Sequence, residues 1–207
     1  MDSREAAERE SILRSATRLF SALGYDGTSI AQIADTAGLD AERLTTYFPT
    51  KRRLYLDVMG RAHRFLADVI EARAKELLAA PPEQRAEALH RFVDGYIDLV
   101  ADHPEVPALW AHRWLSDACD IGDPDSHNAQ PLAQFAVDSM TAMAEAAGAD
   151  PLYTTYTMIW CIHGFTLSGV LDGSGERHGV HDVRQLRRFR AHMHQLLERE
   201  LRLPSPP

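Results

Sequence analysis

The stretch 28-TSIAQIADTAGLDAERLTTYFPTK-51 decides how this chain is read. Ser29 has the character of a helix N-cap, and Gln32, three residues on, completes a capping box. Ile30, Ile33, Ala34 and Ala37 then recur at the spacing of one helix face, and Gly38 is suited to end so short a helix. Asp40 is a good cap for another short helix, predicted over 41–48, whose inner side would carry Ala41, Leu44 and Phe48. Pro49 stops it, and Thr50 is placed to cap a long helix without proline to about residue 80. Two short helices joined by a glycine turn have the sequence shape of a helix-turn-helix.

Helical patterns continue on both sides. Upstream, Ile12, Ala16, Leu19, Phe20 and Leu23 share one face of a helix predicted over 4–23, and 25-YDGT-28 reads as a turn. Downstream, helices are predicted at about 83–102, 105–119, 128–147, 151–172 and 183–202. Pro81-Pro82, His103-Pro104, the loop 120–131, 148-GADP-151 and 172–182 separate them. No strand-like alternation is long enough to compete, and the tail 204-PSPP-207 is expected to fray. The reading is an all-α chain of about nine helices. An N-terminal three-helix domain occupies 1–50, and a second helical domain occupies 51–207.

Charge divides the chain in the same way. Of 207 residues, 45% are hydrophobic and 25% charged, which suits a globular protein, and the net charge is −8. Residues 1–53 hold eight basic and eight acidic side chains, so the entire negative balance lies beyond them. Yet Lys51, Arg52 and Arg53 open the long helix, where the helix dipole is already positive and cations are disfavoured. Cations at that position make sense if an anion docks there. The outer side of 41–48 offers Arg43, Thr45, Thr46 and Tyr47. Arginine can donate twice to guanine, threonine can touch a thymine methyl, and tyrosine can bond a phosphate. Thr28 and Ser29 would reach the backbone on the other side of a groove.

Other classes find no support. No apolar run approaches the roughly 20 residues that span a bilayer. The N-terminus, MDSREAAERE, is charged throughout, so neither a secretory signal nor a transit peptide is expected. Cys119 and Cys161 make no disulfide framework, which points to a reduced cytoplasmic setting, although a redox-sensing role for either is a separate reading. There is no nucleophile elbow, phosphate loop or dinucleotide fingerprint, so neither enzyme chemistry nor a cofactor is expected. The acidic run Asp117, Asp120, Asp123, Asp125, His127 lacks the spacing of a calcium loop, and the histidines lack zinc spacing; no metal site is expected.

Residues 12–58 resemble the N-terminal DNA-binding domain of the TetR/AcrR family of bacterial transcriptional regulators. The matching runs are A-x-x-L-F-x-x-x-G-Y (Ala16 to Tyr25), T-S-I-x-x-I-A-x-x-A-G-L (Thr28 to Leu39) and L-x-x-Y-F-P-x-K (Leu44 to Lys51). The resemblance implies that 41–48 is a recognition helix and that Tyr47 and Lys51 hold phosphates of double-stranded operator DNA. Thr45 stands where the family commonly has an aromatic residue, and Ala41-Glu42 replace its frequent basic-glycine pair, leaving Arg43 and Thr46 as expected base readers. It also implies a C-terminal pocket for a small-molecule effector and a homodimer on a palindromic operator. Polar and aromatic residues on apolar faces nominate Trp110, His112, Trp114, Asp117, Tyr156, Trp160 and His163 for the pocket. The last two helices nominate Ile159, Gly164, Leu167, Ser168, Leu171, Leu186, Met193 and Leu197 for the dimer interface. The competing reading is an all-helical small-molecule-binding or enzymatic protein whose first helices are only structural.

Overall fold

The computed structural model describes residues 3–122 and 124–203; Asp123 and the tail at 204–207 lie outside the described residues. Nine α-helices make up nearly all of what is described: α1 (Ser3–Leu23), α2 (Ile30–Ala37), α3 (Ala41–Tyr47), α4 (Lys51–Ala79), α5 (Arg85–Asp102), α6 (Glu105–Trp114), α7 (Gln130–Ala147), α8 (Pro151–Ser168) and α9 (Val183–Glu200). The chain is all-α with a helix-turn-helix near its start. No helix among the described residues is long and apolar enough to cross a membrane.

Two helices, α6 and α8, end about one turn earlier than their sequence pattern predicts. The run predicted to 119 stops at Trp114, and Ser116 and Ala118 take positive φ. Tertiary bonds explain the turn, because the Asp117 carboxylate accepts from the amides of Tyr25 and Asp26 while Arg113 donates to the Ala118 carbonyl. The run predicted to 172 stops at Ser168, where Gly169 has φ 61°. A Cβ at Gly169 would lie 2.3 Å from the His178 carbonyl oxygen, so only glycine fits. Beyond it, Val170–Leu171 pairs antiparallel with Arg177–His178, a two-residue ribbon that the sequence reading did not include.

The chain forms two compact units, and they do not divide at residue 50. The first is Met1–Arg64 with Glu105–Asn128, and the second is Phe65–Pro104 with Ala129–Pro207. In the first, Ile12, Leu13, Ala16 and Phe20 of α1 share a core with Ile33, Leu44, Phe48, Leu54, Tyr55 and Met59. Phe20, Tyr25 and Tyr55 form an aromatic cluster, with Phe20 edge-on to Tyr55 at 5.3 Å. In the second, α5 supplies Leu89, Phe92, Val93, Ile97 and Val100, α7 supplies Met140 and Ala144, and α8 supplies Met158 and Ile162.

Candidate nucleic-acid interface

Local chemistry fixes α2 and α3 before tertiary packing is considered. The Ser29 hydroxyl accepts from the Gln32 amide at 3.2 Å, and the Gln32 side chain accepts from the Ser29 amide at 2.8 Å. Gly38 closes α2 at φ 72° by returning its amide to Ala34 and Asp35. The Asp40 carboxylate then accepts from the Arg43 amide at 2.6 Å, starting α3. Leu44 and Phe48 are buried, which leaves the opposite side of α3 exposed. Thr45 and Thr46 lie on that exposed side. Each hydroxyl donates backwards, to the carbonyls of Glu42 and Arg43, at 2.7 Å. With its hydrogen so committed, each threonine presents a methyl and acceptor lone pairs outward.

The α3–α4 corner is tied to α1 by three polar clamps. Arg9 donates to Asp57 at 2.8 Å and lies over the Phe48 ring, 5.1 Å from its centroid. Arg61 grips Glu10 with two bonds, at 2.9 and 2.6 Å. Glu8 receives both Arg43 and Tyr47: the Arg43 Nε and the Tyr47 hydroxyl each donate to its Oε2 at 2.8 Å. Arg43 Nη2 also lies 2.8 Å from that oxygen and donates to the Tyr47 hydroxyl at 2.8 Å. Hydrogen bonds from Tyr47, Arg4 and Arg43 hold the Glu8 carboxyl down to about 2. At the start of α4 the Lys51 ammonium sits 4.1 Å from the Tyr25 ring centroid, a cation–π contact that fixes its direction. Arg53 is 3.4 Å from Asp57.

Several residues stand elsewhere than the sequence predicts. Thr28 is buried, 2% exposed, and its hydroxyl donates to the Gly24 carbonyl at 2.7 Å, so this side chain faces the core and not a groove. Arg43, expected outward as a base reader, is turned to Glu8 and Tyr47. The nominated pocket residues divide between the units: Trp110, His112, Trp114 and Asp117 belong to the first, and Tyr156, Trp160 and His163 to the second. His112 Nε2 bonds the Ser21 carbonyl at 3.1 Å, so it and Asp117 brace the α1–α2 turn. In the second unit His163 is buried, its Nε2 2.5 Å from the Tyr96 hydroxyl, while Tyr156 stacks obliquely on exposed Trp160. Of the interface candidates, Gly164, Leu167, Ser168 and Leu171 are exposed, and Ile159 and Leu186 are half-buried. Met193 and Leu197 are corrected to the protomer's own core: both are buried on the side of α9 that packs against α5 and α8.

Sequence reasoning missed Glu8, Arg9 and Glu10, because nothing in α1 marks a carboxylate or guanidinium for partners some 35 to 51 residues away. It also did not bring Asp172, Glu176 and His178 together as one cluster. Their donor atoms lie within 4.8 Å of one another on an exposed loop, where Asp172 is engaged by Ser174, Glu176 and His178.

A short capped helix with an exposed polar side, preceded by a glycine turn and followed by a cation-bearing long helix, defines a helix-turn-helix protein. Residues 12–58 match the sequence profile described as bacterial regulatory proteins, tetR family, and form a domain of that family. The HTH-type transcriptional repressor NicS of Pseudomonas putida is 30% identical over 146 residues, covering 70% of this chain and 65% of NicS. The HTH-type transcriptional regulator RutR of Escherichia coli is 27% identical over 113 residues, covering 55% of this chain; the chain thus spans about half the length of RutR. Among solved structures, AibR in complex with isovaleryl coenzyme A and operator DNA superposes with a TM-score of 0.70 at 16% identity. That match covers 93% of this chain and 98% of AibR, a likeness of fold.

Proposed function

We propose that this protein is a DNA-binding transcriptional regulator of the cytoplasm, acting as a homodimeric repressor that a small-molecule effector releases from a palindromic operator. The observation that carries the reading is the exposed Thr45–Thr46 side of a rigidly capped helix, standing beside the ring-held Lys51. The threonines would meet base edges, with their methyls suited to thymine, while Lys51 and exposed Ser29 would meet phosphates. NicS and RutR carry names of regulators, not enzymes, which supports the same class. AibR was crystallised with an acyl coenzyme A and with operator DNA, so a protein of this fold accommodates both kinds of partner.

Selection from random duplexes with the purified protein tests the central claim, and the expected product is one two-fold symmetric site. Lys51→Ala is expected to weaken that site and random DNA alike, and to reduce the salt slope of log K by about 0.9 per protomer. An unchanged salt slope would show that Lys51 meets no phosphate.

A second copy has a surface to occupy. α8 carries no charged side chain, and Tyr153, Trp160 and Leu167 remain exposed on it, with Leu171 just beyond. Large apolar side chains grouped on the exposed side of one helix mark a contact surface. Gly164 has open space where a side chain would be, which allows close approach of another helix. Trp160→Glu with Leu167→Glu is expected to convert a sedimenting dimer to monomers and to weaken operator binding. Dimers that persist in this variant would place the interface elsewhere.

A further inference from the structure

We propose that Glu8 is a specificity-determining residue of the reading face: it keeps the Arg43 guanidinium off the bases, so that sequence is read by Thr45 and Thr46. The inference rests on the regulator reading and names how its site chooses sequence. An arginine that reads guanine must aim two N–H groups of one edge at O6 and N7. In Arg43 the Nη2 nitrogen, shared by the Nε–Nη2 edge and the Nη1–Nη2 edge, is held by the Tyr47 hydroxyl and the Glu8 carboxylate, and Nε donates to that carboxylate, at 2.8 Å in each case. The guanidinium carbon also lies 5.0 Å from the Tyr47 ring centroid. Turning to a base would give up the ion pair with Glu8, one bond to a hydroxyl and a cation–π contact, in exchange for two bonds to guanine.

The exchange carries a second cost. Glu8 is part-buried against α3, and losing Arg43 would leave its carboxylate facing the phosphates of an approaching duplex with only Tyr47 and exposed Arg4 as partners. Like charges in partly desolvated surroundings repel strongly, so the cost of baring Glu8 before the phosphates opposes the release of Arg43. Arg43 is therefore a neutraliser of Glu8, and Tyr47 is held by the same oxygen as part of the scaffold. The threonines beside them show no charged partner among the described residues, and on this reading they meet the groove directly.

Two variants and one selection experiment test this. In Glu8→Gln the anchor loses its charge, and Arg43 is released. Expected are about tenfold tighter binding to random duplex near 0.1 M salt and a salt slope steeper by about 0.9 per protomer. The selected site should gain a guanine absent from the wild-type site, and adding Arg43→Ala should remove it. Arg43→Ala alone bares Glu8, so it should weaken all duplexes while the selected sequence stays the same. A wild-type site that loses a guanine in Arg43→Ala overturns the proposal, even if Glu8→Gln proves unstable. So does a Glu8→Gln protein that matches wild type in affinity, slope and sequence while wild type selects a site. Wild-type protein that selects no site at all overturns the regulator reading, and this inference with it.

Discussion

Phe48→Ala is expected to destabilise the first compact unit by about 3–5 kcal/mol, the usual cost of removing a buried phenylalanine. Phe48 is 1% exposed at the end of α3, where the chain turns through Pro49 into α4. Its ring shares the core with Leu44 and Leu54 and lies under the Arg9 guanidinium. Truncation would leave a cavity and remove the surface on which Arg9 rests, loosening the Arg9–Asp57 clamp as well. Leu44 and the outward threonines belong to the same seven-residue helix, too short to persist without packing. Operator binding should therefore fall together with stability. The check is amide exchange resolved by segment. Protection should be lost first over residues 30–60, while α7 and α8 in the second unit keep theirs. Protection unchanged over 30–60 would mean that Phe48 does not hold the corner.

The parts of this architecture that were legible in the sequence are those with local causes. The Ser29–Gln32 box, the Gly38 turn and the Asp40 cap each involve residues a few positions apart, and all three form as their chemistry dictates. What was not legible depends on partners far along the chain. Asp117 continues a helical pattern in sequence, yet it is drawn out of helix by amides 92 and 91 residues away. Thr28 looks like a polar turn residue, but the α1–α2 turn folds over it and supplies a carbonyl for its hydroxyl. Arg43 sits on the outer part of a helical wheel, and only the arrival of α1 turns its guanidinium aside. Two of the interface candidates, Met193 and Leu197, turn out to be core for a related reason. Leu167 and Leu197 are the same residue type at similar helical spacing, and only the neighbours of each helix separate an exposed leucine from a core one.

His163 gives the second large effect, and it concerns pH. The imidazole is 3% exposed in the core of the second unit, against the Tyr96 hydroxyl at 2.5 Å. Burial pushes its pKa from an ordinary 6.5 down to about 4, because the charged form would lose its hydration there. Burial likewise raises the Tyr96 phenol, so both groups remain neutral near pH 7. An unfolded chain binds a proton at this histidine below pH 6.5, whereas the folded chain resists until about 4. The stability contributed by the neutral buried ring is thus complete above the unfolded value and is lost as pH falls through the window between the two. Its full extent is about 3 kcal/mol, taking 1.4 kcal/mol per pH unit. Surface carboxylates such as Glu8, held low by their partners, lose their own contribution mainly below the same window. His178 has the opposite sign, since Asp172 and Asp182 raise its pKa and favour the protonated fold. The difference between wild type and His163→Gln isolates the buried ring from these. Urea unfolding at pH 7.0, 6.0, 5.0 and 4.5 should show wild type losing stability more steeply than the variant by roughly one proton's worth of slope. Equal slopes would mean that His163 is protonated in the folded state, with a counter-charge or water reaching it.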